Sequence, residues 1–190
     1  MFLGIVLLIC IATVPLLGGR LGALAELRPR AGWLPMLAIA IQIVIISVIP
    51  GGDSAFHQAA HLVSYALLGG FVWANRHVPG MALIALGGLS NVVVIAANGG
   101  VMPADPDLIA SAAVQKTDGE FLNSAVVEHP HLDFLGDNLA TPGWWPIHAL
   151  VSVGDCLLVL GALVLLHVAC GSRLGRIARR VPVLAPAAAR

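Results

Sequence analysis

The stretch Ile147 to Ala169, IHALVSVGDCLLVLGALVLLHVA, decides how this chain is read. About 20 apolar residues at ~1.5 Å rise cross a ~30 Å hydrocarbon core, so the run is long enough to span a bilayer. Asp155 interrupts it. A carboxylate inside such a run costs roughly 2.5–3.5 kcal/mol on insertion scales, and it usually faces a bundle interior or water. Asp155 is therefore the first candidate for a functional or packing-critical residue.

The rest of the chain agrees with this reading. Hydrophobic residues make up 58% and charged residues 11% of 190 positions, with a mean hydropathy of +0.92. That is too apolar for an ordinary soluble domain. The expectation is an all-α integral membrane protein with five transmembrane helices, at about 1–18, 32–50, 56–75, 80–98 and 147–170. Residues 1–172 form one membrane domain, with a long outer loop over 99–146 between helices four and five. Residues 173–190 form a basic cytoplasmic tail.

Charge placement gives the orientation. Arg20, Arg28, Arg30 and Arg76 fall in the first and third connections, and Arg173, Arg176, Arg179, Arg180 and Arg190 in the tail. Lys116 is the one basic residue on the other side, which carries Asp53, Asp105, Asp107, Asp118, Glu120, Glu128, Asp133 and Asp137. The positive-inside rule puts the N-terminus outside and the C-terminus in the cytoplasm, with the protein in the plasma membrane. Trp33 and Trp73 at inner ends, and Trp144 and Trp145 at an outer one, fit an aromatic belt. The first segment reads as a retained helix, because Arg20 separates it from Ala23-Leu24-Ala25, which resembles a signal-peptidase site. The basic connection Arg20–Arg30 is expected on the anionic inner membrane surface. Zero net charge argues against a nucleic-acid partner; the expected partners are the lipid bilayer and a small or lipid-like ligand at its outer leaflet.

Polar residues mark the candidate site. Helical spacing groups His148, Ser152 and Asp155 on one face, Gly87 or Gly88 with Asn91, Ile95 and Asn98 on another, and Asp53, His57, His61 and Tyr65 on a third. At ~1.5 Å per residue, His61 lies ~7 Å, Asn91 ~10 Å and Asp155 ~13 Å inward from the outer ends of their helices. One polar pocket in the outer half of the membrane, roofed by the acidic loop, is the resulting expectation. Its ligand-binding residues are Asn91, Asn98, Gly99, Gly100, His61, Tyr65, His148 and Ser152.

Each group has a plainer use. The asparagines serve equally as interhelical hydrogen-bonding residues, with the glycines permitting close packing. His57 and His61 can ligate a metal only with a third ligand, from His148 or Asp155, and hydrogen bonding to neighbouring helices is the favoured reading. No metal or other cofactor is expected. Cys10, Cys156 and Cys170 read as small buried residues without disulfide or metal spacing. Asp53 or Ser54 caps the third helix. Within the loop, short helices are expected near Asp107–Gln115 and Glu120–Val127, the second with Phe121, Leu122, Ala125 and Val126 on an apolar face.

Four motifs in order carry a resemblance: His61-Leu62-Val63-Ser64-Tyr65, Asn98-Gly99-Gly100-Val101-Met102-Pro103, Leu135-Gly136-Asp137 and Ser152-Val153-Gly154-Asp155. Together they resemble the small membrane proteins of family DUF5317. That likeness implies a fold and a set of residues, not a reaction. The run from His131 to Gly161 is also similar in layout to the end of signal peptidase II. By that likeness Asp155 would match one catalytic aspartate and Asp137 or Asp133 the other, although that family has four helices. His61 and Tyr65 sit as in VanZ-like teicoplanin-resistance proteins, with His57 where those proteins have an Asp.

Two functions follow. One is a small binding, sensing or accessory membrane subunit whose polar cluster holds helices or a ligand. The other is an aspartic hydrolase acting on a lipid or lipoprotein-like substrate, with Asp155 and Asp137 as its catalytic pair. There one carboxyl holds a proton while the other activates water, and Asn98 with the Gly99 and Gly100 amides forms the oxyanion site.

Overall fold

The computed structural model describes residues 2–45, 55–111, 124–142 and 149–180. The chain is mostly helical: α1 (Phe2–Leu16), α2 (Trp33–Ile43), α3 (Ala55–Ala74), α4 (Met81–Ala97), α5 (Pro106–Ser111), α6 (Val153–Ala169) and α7 (Arg173–Ala178). A 3-10 helix, Leu21–Glu26, follows α1. Four two-residue strands lie between the helices: β1 (Met102–Pro103), β2 (Ser124–Ala125), β3 (Leu139–Ala140) and β4 (Leu150–Val151). β1 runs parallel to β2 with Met102 opposite Ser124, and β3 antiparallel to β4 with Leu139 opposite Val151.

The five-transmembrane-helix architecture is overturned: among the described residues no helix is long and apolar enough to cross a membrane. Several apolar runs are longer than the helices they contain. α1 ends at Leu16, and Gly18 turns the chain at a φ of 73°. α2 is 11 residues long, and its run continues beyond the described residues. α3 reaches 20 residues but carries His57, Gln58, His61, Ser64 and Tyr65, which dilute its hydropathy. α4 stops at Ala97, where Gly99 and Gly100 take φ values of 68° and 95°. The Gly100 amide donates to the Ile95 carbonyl at 2.9 Å, closing the helix as a left-handed glycine cap does.

The deciding stretch differs most. The last helix begins at Val153, not Ile147, because Leu150–Val151 pairs with Leu139–Ala140. Ser152 thus stands just before a helix, and Asp155 is in its first turn. The loop differs too: residues 124–125 form a strand where a helix was expected, while α5 covers Asp107–Ser111 of the expected Asp107–Gln115 and the rest of that stretch lies outside the described residues. Asp53, Ser54, Phe121, Leu122, Trp144, Trp145, His148 and Arg190 lie outside the described residues.

Two compact units make up the chain. The first contains Met1–Arg30, Val72–Gly88 and Gly154–Arg190; the second contains Ala31–Phe71 and Leu89–Val153. In the first, Cys10 and Val14 of α1 pack with Leu166 of α6 and Cys170 just beyond it, and Leu24 closes the cluster. Val164, Val168 and Ala178 form a second cluster with Leu83. α4 and α6 meet through glycines. A Cβ on Gly161 would lie 2.8 Å from the Gly80 carbonyl, and one on Gly87 would lie 2.5 Å from the Gly154 carbonyl. The pairing of 80 with 161 and 87 with 154 makes this crossing antiparallel, and the small residues let two backbones touch.

Candidate functional site

In the second unit, two of the four sequence motifs are built into one another. The Asp137 amide donates to the Pro103 carbonyl at 2.9 Å, and Ala104 bridges to Asp137 in parallel. Gly136 is required there, since a Cβ would come within 2.5 Å of the same carbonyl. Asp137 is buried. The Leu-Gly-Asp and Asn-Gly-Gly-x-Met-Pro motifs therefore dock as partners.

Asn98 fastens the loop to the end of α4. Its Nδ2 donates to the Val94 carbonyl at 2.7 Å and the His131 carbonyl at 2.8 Å, while its Oδ1 accepts the His131 amide at 2.8 Å. The side chain thus pairs with the backbone of His131 as a second peptide group would. Asn91 is held by Ser152, whose buried hydroxyl donates to Asn91 Oδ1 at 3.0 Å. Farther along, the Thr141 amide donates to the Ala149 carbonyl at 3.0 Å and Thr141 Oγ1 accepts the Ala149 amide at 3.1 Å. On α2, Gln42 donates to the buried Ser64 hydroxyl at 3.1 Å.

These contacts locate the expected site residues. Asn91, Asn98, Gly99, Gly100, Tyr65, Asp137 and Ser152 belong to the second unit, as do His57 and His61; Asp155 belongs to the first, and His148 lies outside the described residues. Asn91 and Ser152 are brought together. Asn98 and the Gly100 amide, expected as oxyanion donors, already have backbone acceptors. The side chains of His57 and His61 lie outside the described part of α3. Among the described residues no three His, Cys, Asp or Glu side chains gather as a metal site. Asp133 is exposed, in a 3-10 turn entered by Leu132 at a φ of 56°.

Asp155 acquires a local explanation from its position. Ser152-Val153-Gly154-Asp155 has the Ser-x-x-acid spacing of a capping box, with the serine preceding the helix and the carboxylate in its first turn. A negative charge there faces the positive end of the helix dipole.

One polar cluster escaped the sequence reading. In the first unit His167 of α6 is wholly buried, with Nε2 3.1 Å from Thr13 Oγ1 and Nδ1 2.7 Å from Ser172 Oγ. Thr13 donates its own proton to the Cys10 carbonyl at 2.7 Å. Its oxygen must then accept from His167, which places the imidazole proton on Nε2. Nδ1 is left to accept the Ser172 hydroxyl, while Ser172 Oγ accepts the Gly175 amide at 3.1 Å and caps α7. Burial lowers the His167 pKa below its ordinary value. Although a serine meets a histidine here, both are fully buried, and the arrangement joins α1, α6 and α7 instead of presenting a nucleophile. A histidine inside a Leu/Val-rich run was the available signal.

The cysteines divide. Cys10 and Cys170 are buried, and burial pushes both thiols up. Cys156 is exposed, against expectation.

The comparisons with known proteins bear on family alone. An uncharacterized protein of Thermotoga maritima is 32% identical over 95 residues, covering 50% of this chain and 54% of that relative. The match therefore spans about half the relative's length. No solved structure matches the chain. Residues 26–167, carrying all four motifs, match the family of unknown function DUF5317, and the chain belongs to that family.

Proposed function

We propose that this protein is a membrane-associated, non-catalytic binding or accessory protein whose apolar helix faces rest against lipid. The observation that carries this reading is the exposure of large apolar side chains along its helices. Leu16 is 81% exposed, Met36 73%, Trp73 70% and Leu62 64%. Apolar patches beyond a few hundred Å² mark membrane or partner surfaces in folded proteins. The composition, at 58% hydrophobic, favours lipid as the cover.

The use of the polar groups supports a binding or accessory role over hydrolysis. Asn91 with Ser152, Asn98 with His131, and Gln42 with Ser64 all spend side-chain hydrogen bonds on holding the second unit together. Such bonds hold the loop in place and leave its exposed residues, His131–Phe134 and Leu139–Ala140, as the surface offered to a small or lipid-like ligand. The test is fractionation of cells expressing the chain. The protein should sediment with membranes and stay with them through a wash in neutral low-salt buffer. Recovery in the wash as a monodisperse species without detergent would refute the reading.

A further inference from the structure

Charge separates between the two units. The first holds Arg20, Arg28, Arg30 and Arg76 together with every arginine of the C-terminal segment, against two carboxylates, Glu26 and Asp155. The second holds the other eight carboxylates and the one lysine. Asp155, in the first turn of α6, lies at the helix end away from the arginines.

Backbone bonds collect these arginines at one end of the first unit. The Arg20 amide donates to the Cys170 carbonyl at 3.0 Å, and the Arg173 amide to the Leu17 carbonyl at 3.0 Å. The end of α1 is thereby stitched to the junction between α6 and α7. The buried Asn75 side chain joins the third connection to the first. Its Oδ1 accepts the Arg30 amide at 2.9 Å, and its Nδ2 donates to the Arg30 carbonyl at 2.8 Å. All of these arginines are exposed in the described residues.

Some of their donors finish helices. Arg76 donates to the Trp73 carbonyl at 3.0 Å and stacks 4.7 Å from that ring's centroid. Arg176 donates to the Gly171 carbonyl at 2.9 Å, and Arg179 to the Val168 carbonyl at 3.1 Å. A guanidinium has five N–H donors, so each keeps most of them. Among the described residues, Arg28, Arg173 and Arg180 make no such side-chain bond. Beside the charges stand exposed apolar groups: Leu16, Trp73 at 70% and Ile177 at 61%.

We infer that this arginine-rich end is a docking face for the anionic headgroups of a phospholipid surface. It rests on the membrane association proposed above and adds the headgroup chemistry. Charge complementarity selects the occupant: guanidinium forks match phosphate oxygens in pairs, and the neighbouring Trp and aliphatic side chains enter the interfacial region. Each arginine near an anionic leaflet is worth roughly a fivefold gain in partition.

The test uses the full purified chain, diluted from detergent onto two kinds of vesicle, phosphatidylcholine alone and phosphatidylcholine with about one-third phosphatidylglycerol. Partition is read by flotation at low and high salt. The variant is R28Q/R173Q/R180Q, which leaves the guanidinium bonds of Arg76, Arg176 and Arg179 in place and should unfold at the wild-type temperature. The expected result is binding to both vesicles, preference for the anionic one, loss of that preference in high salt, and a roughly hundredfold drop in it for the variant. Equal partition of the wild type into both vesicles overturns the headgroup inference but leaves membrane association standing. No partition into either overturns both. Displacement from anionic vesicles by equimolar duplex DNA overturns lipid as the occupant.

Discussion

Gly87 of α4 sits so close to Gly154 of α6 that a Cβ at position 87 would come within 2.5 Å of the Gly154 carbonyl oxygen. Its neighbour Gly88 has nothing within 4 Å of the same hypothetical atom. Adjacent glycines in one helix therefore answer different demands. Gly87→Ala should destabilise by about 1–3 kcal/mol, because rigid backbone, not a flexible side chain, must move. Gly88→Ala should be neutral or stabilising by up to ~1 kcal/mol from helix propensity. Thermal unfolding in detergent separates them, and equal shifts for both variants would remove the close helix crossing.

The Thr13–His167–Ser172 chain predicts a defined tautomer and a pH dependence. Nitrogen chemical shifts should show His167 neutral, with its proton on Nε2, at neutral pH. Its folded pKa lies below the ordinary value of about 6.5. Above that value imidazole is neutral in both states and costs nothing. As pH falls through it, the unfolded chain takes up a proton that the folded chain excludes, so stability declines. His167→Gln should remove that part of the slope below pH ~6.5. An unchanged slope would show that His167 does not carry it.

Much of this architecture is legible in the residues, though not its limits. The apolar runs locate α1, α3 and α4 to within two positions and contain α2 and α6, because helical packing needs contiguous apolar sequence. They mislead at their ends, where cap and strand chemistry competes. Ile147–Ser152 is apolar enough to continue α6, yet Leu150–Val151 pairs with Leu139–Ala140. That pairing is non-local and leaves no periodic trace. It also moves Asp155 from mid-helix to a first turn, where its carboxylate sits at the positive end of the helix dipole. Residues 124–125 likewise become strand through Met102–Pro103. Asn91 and Asn98 stood out because polar side chains in apolar helices need partners. His167 did not, since Thr13 lies 154 positions away.

Ser172 offers a separable test of the cluster. Ser172→Ala removes the cap of α7 and leaves the Gly175 amide and His167 Nδ1 without that oxygen. The expected loss is about 1–3 kcal/mol. Ser172→Asn, which keeps a capping acceptor, should not restore it, because Ser172 is fully buried with its Oγ 2.7 Å from His167 Nδ1 and the larger amide must displace that ring. Full recovery by asparagine would argue that capping alone matters.

Thiol labelling tests the first unit without mutation. Cys156 is exposed, whereas Cys10 and Cys170 are buried with raised pKa. N-ethylmaleimide in mild detergent should add to Cys156 first, and to the others only on denaturation. Early labelling of Cys10 or Cys170 would contradict the packing of α1 on α6.

Asn98→Ala should free the loop while sparing the helices. The substitution deletes three hydrogen bonds, two of them to His131, but α4 already ends through the Gly100 amide and Ile95. Amide exchange should therefore accelerate around His131–Asp137, with α4 protection retained up to its last turn. Asn98→Asp sharpens the test. It preserves an acceptor for the His131 amide but sets carboxylate oxygen against the Val94 and His131 carbonyls, so it should release the loop at least as fully as alanine. A loop that stays protected in both variants would mean that Pro103 and Asp137 hold it unaided. Gly136→Ala, which drives a methyl into the Pro103 carbonyl, is then the change expected to release it.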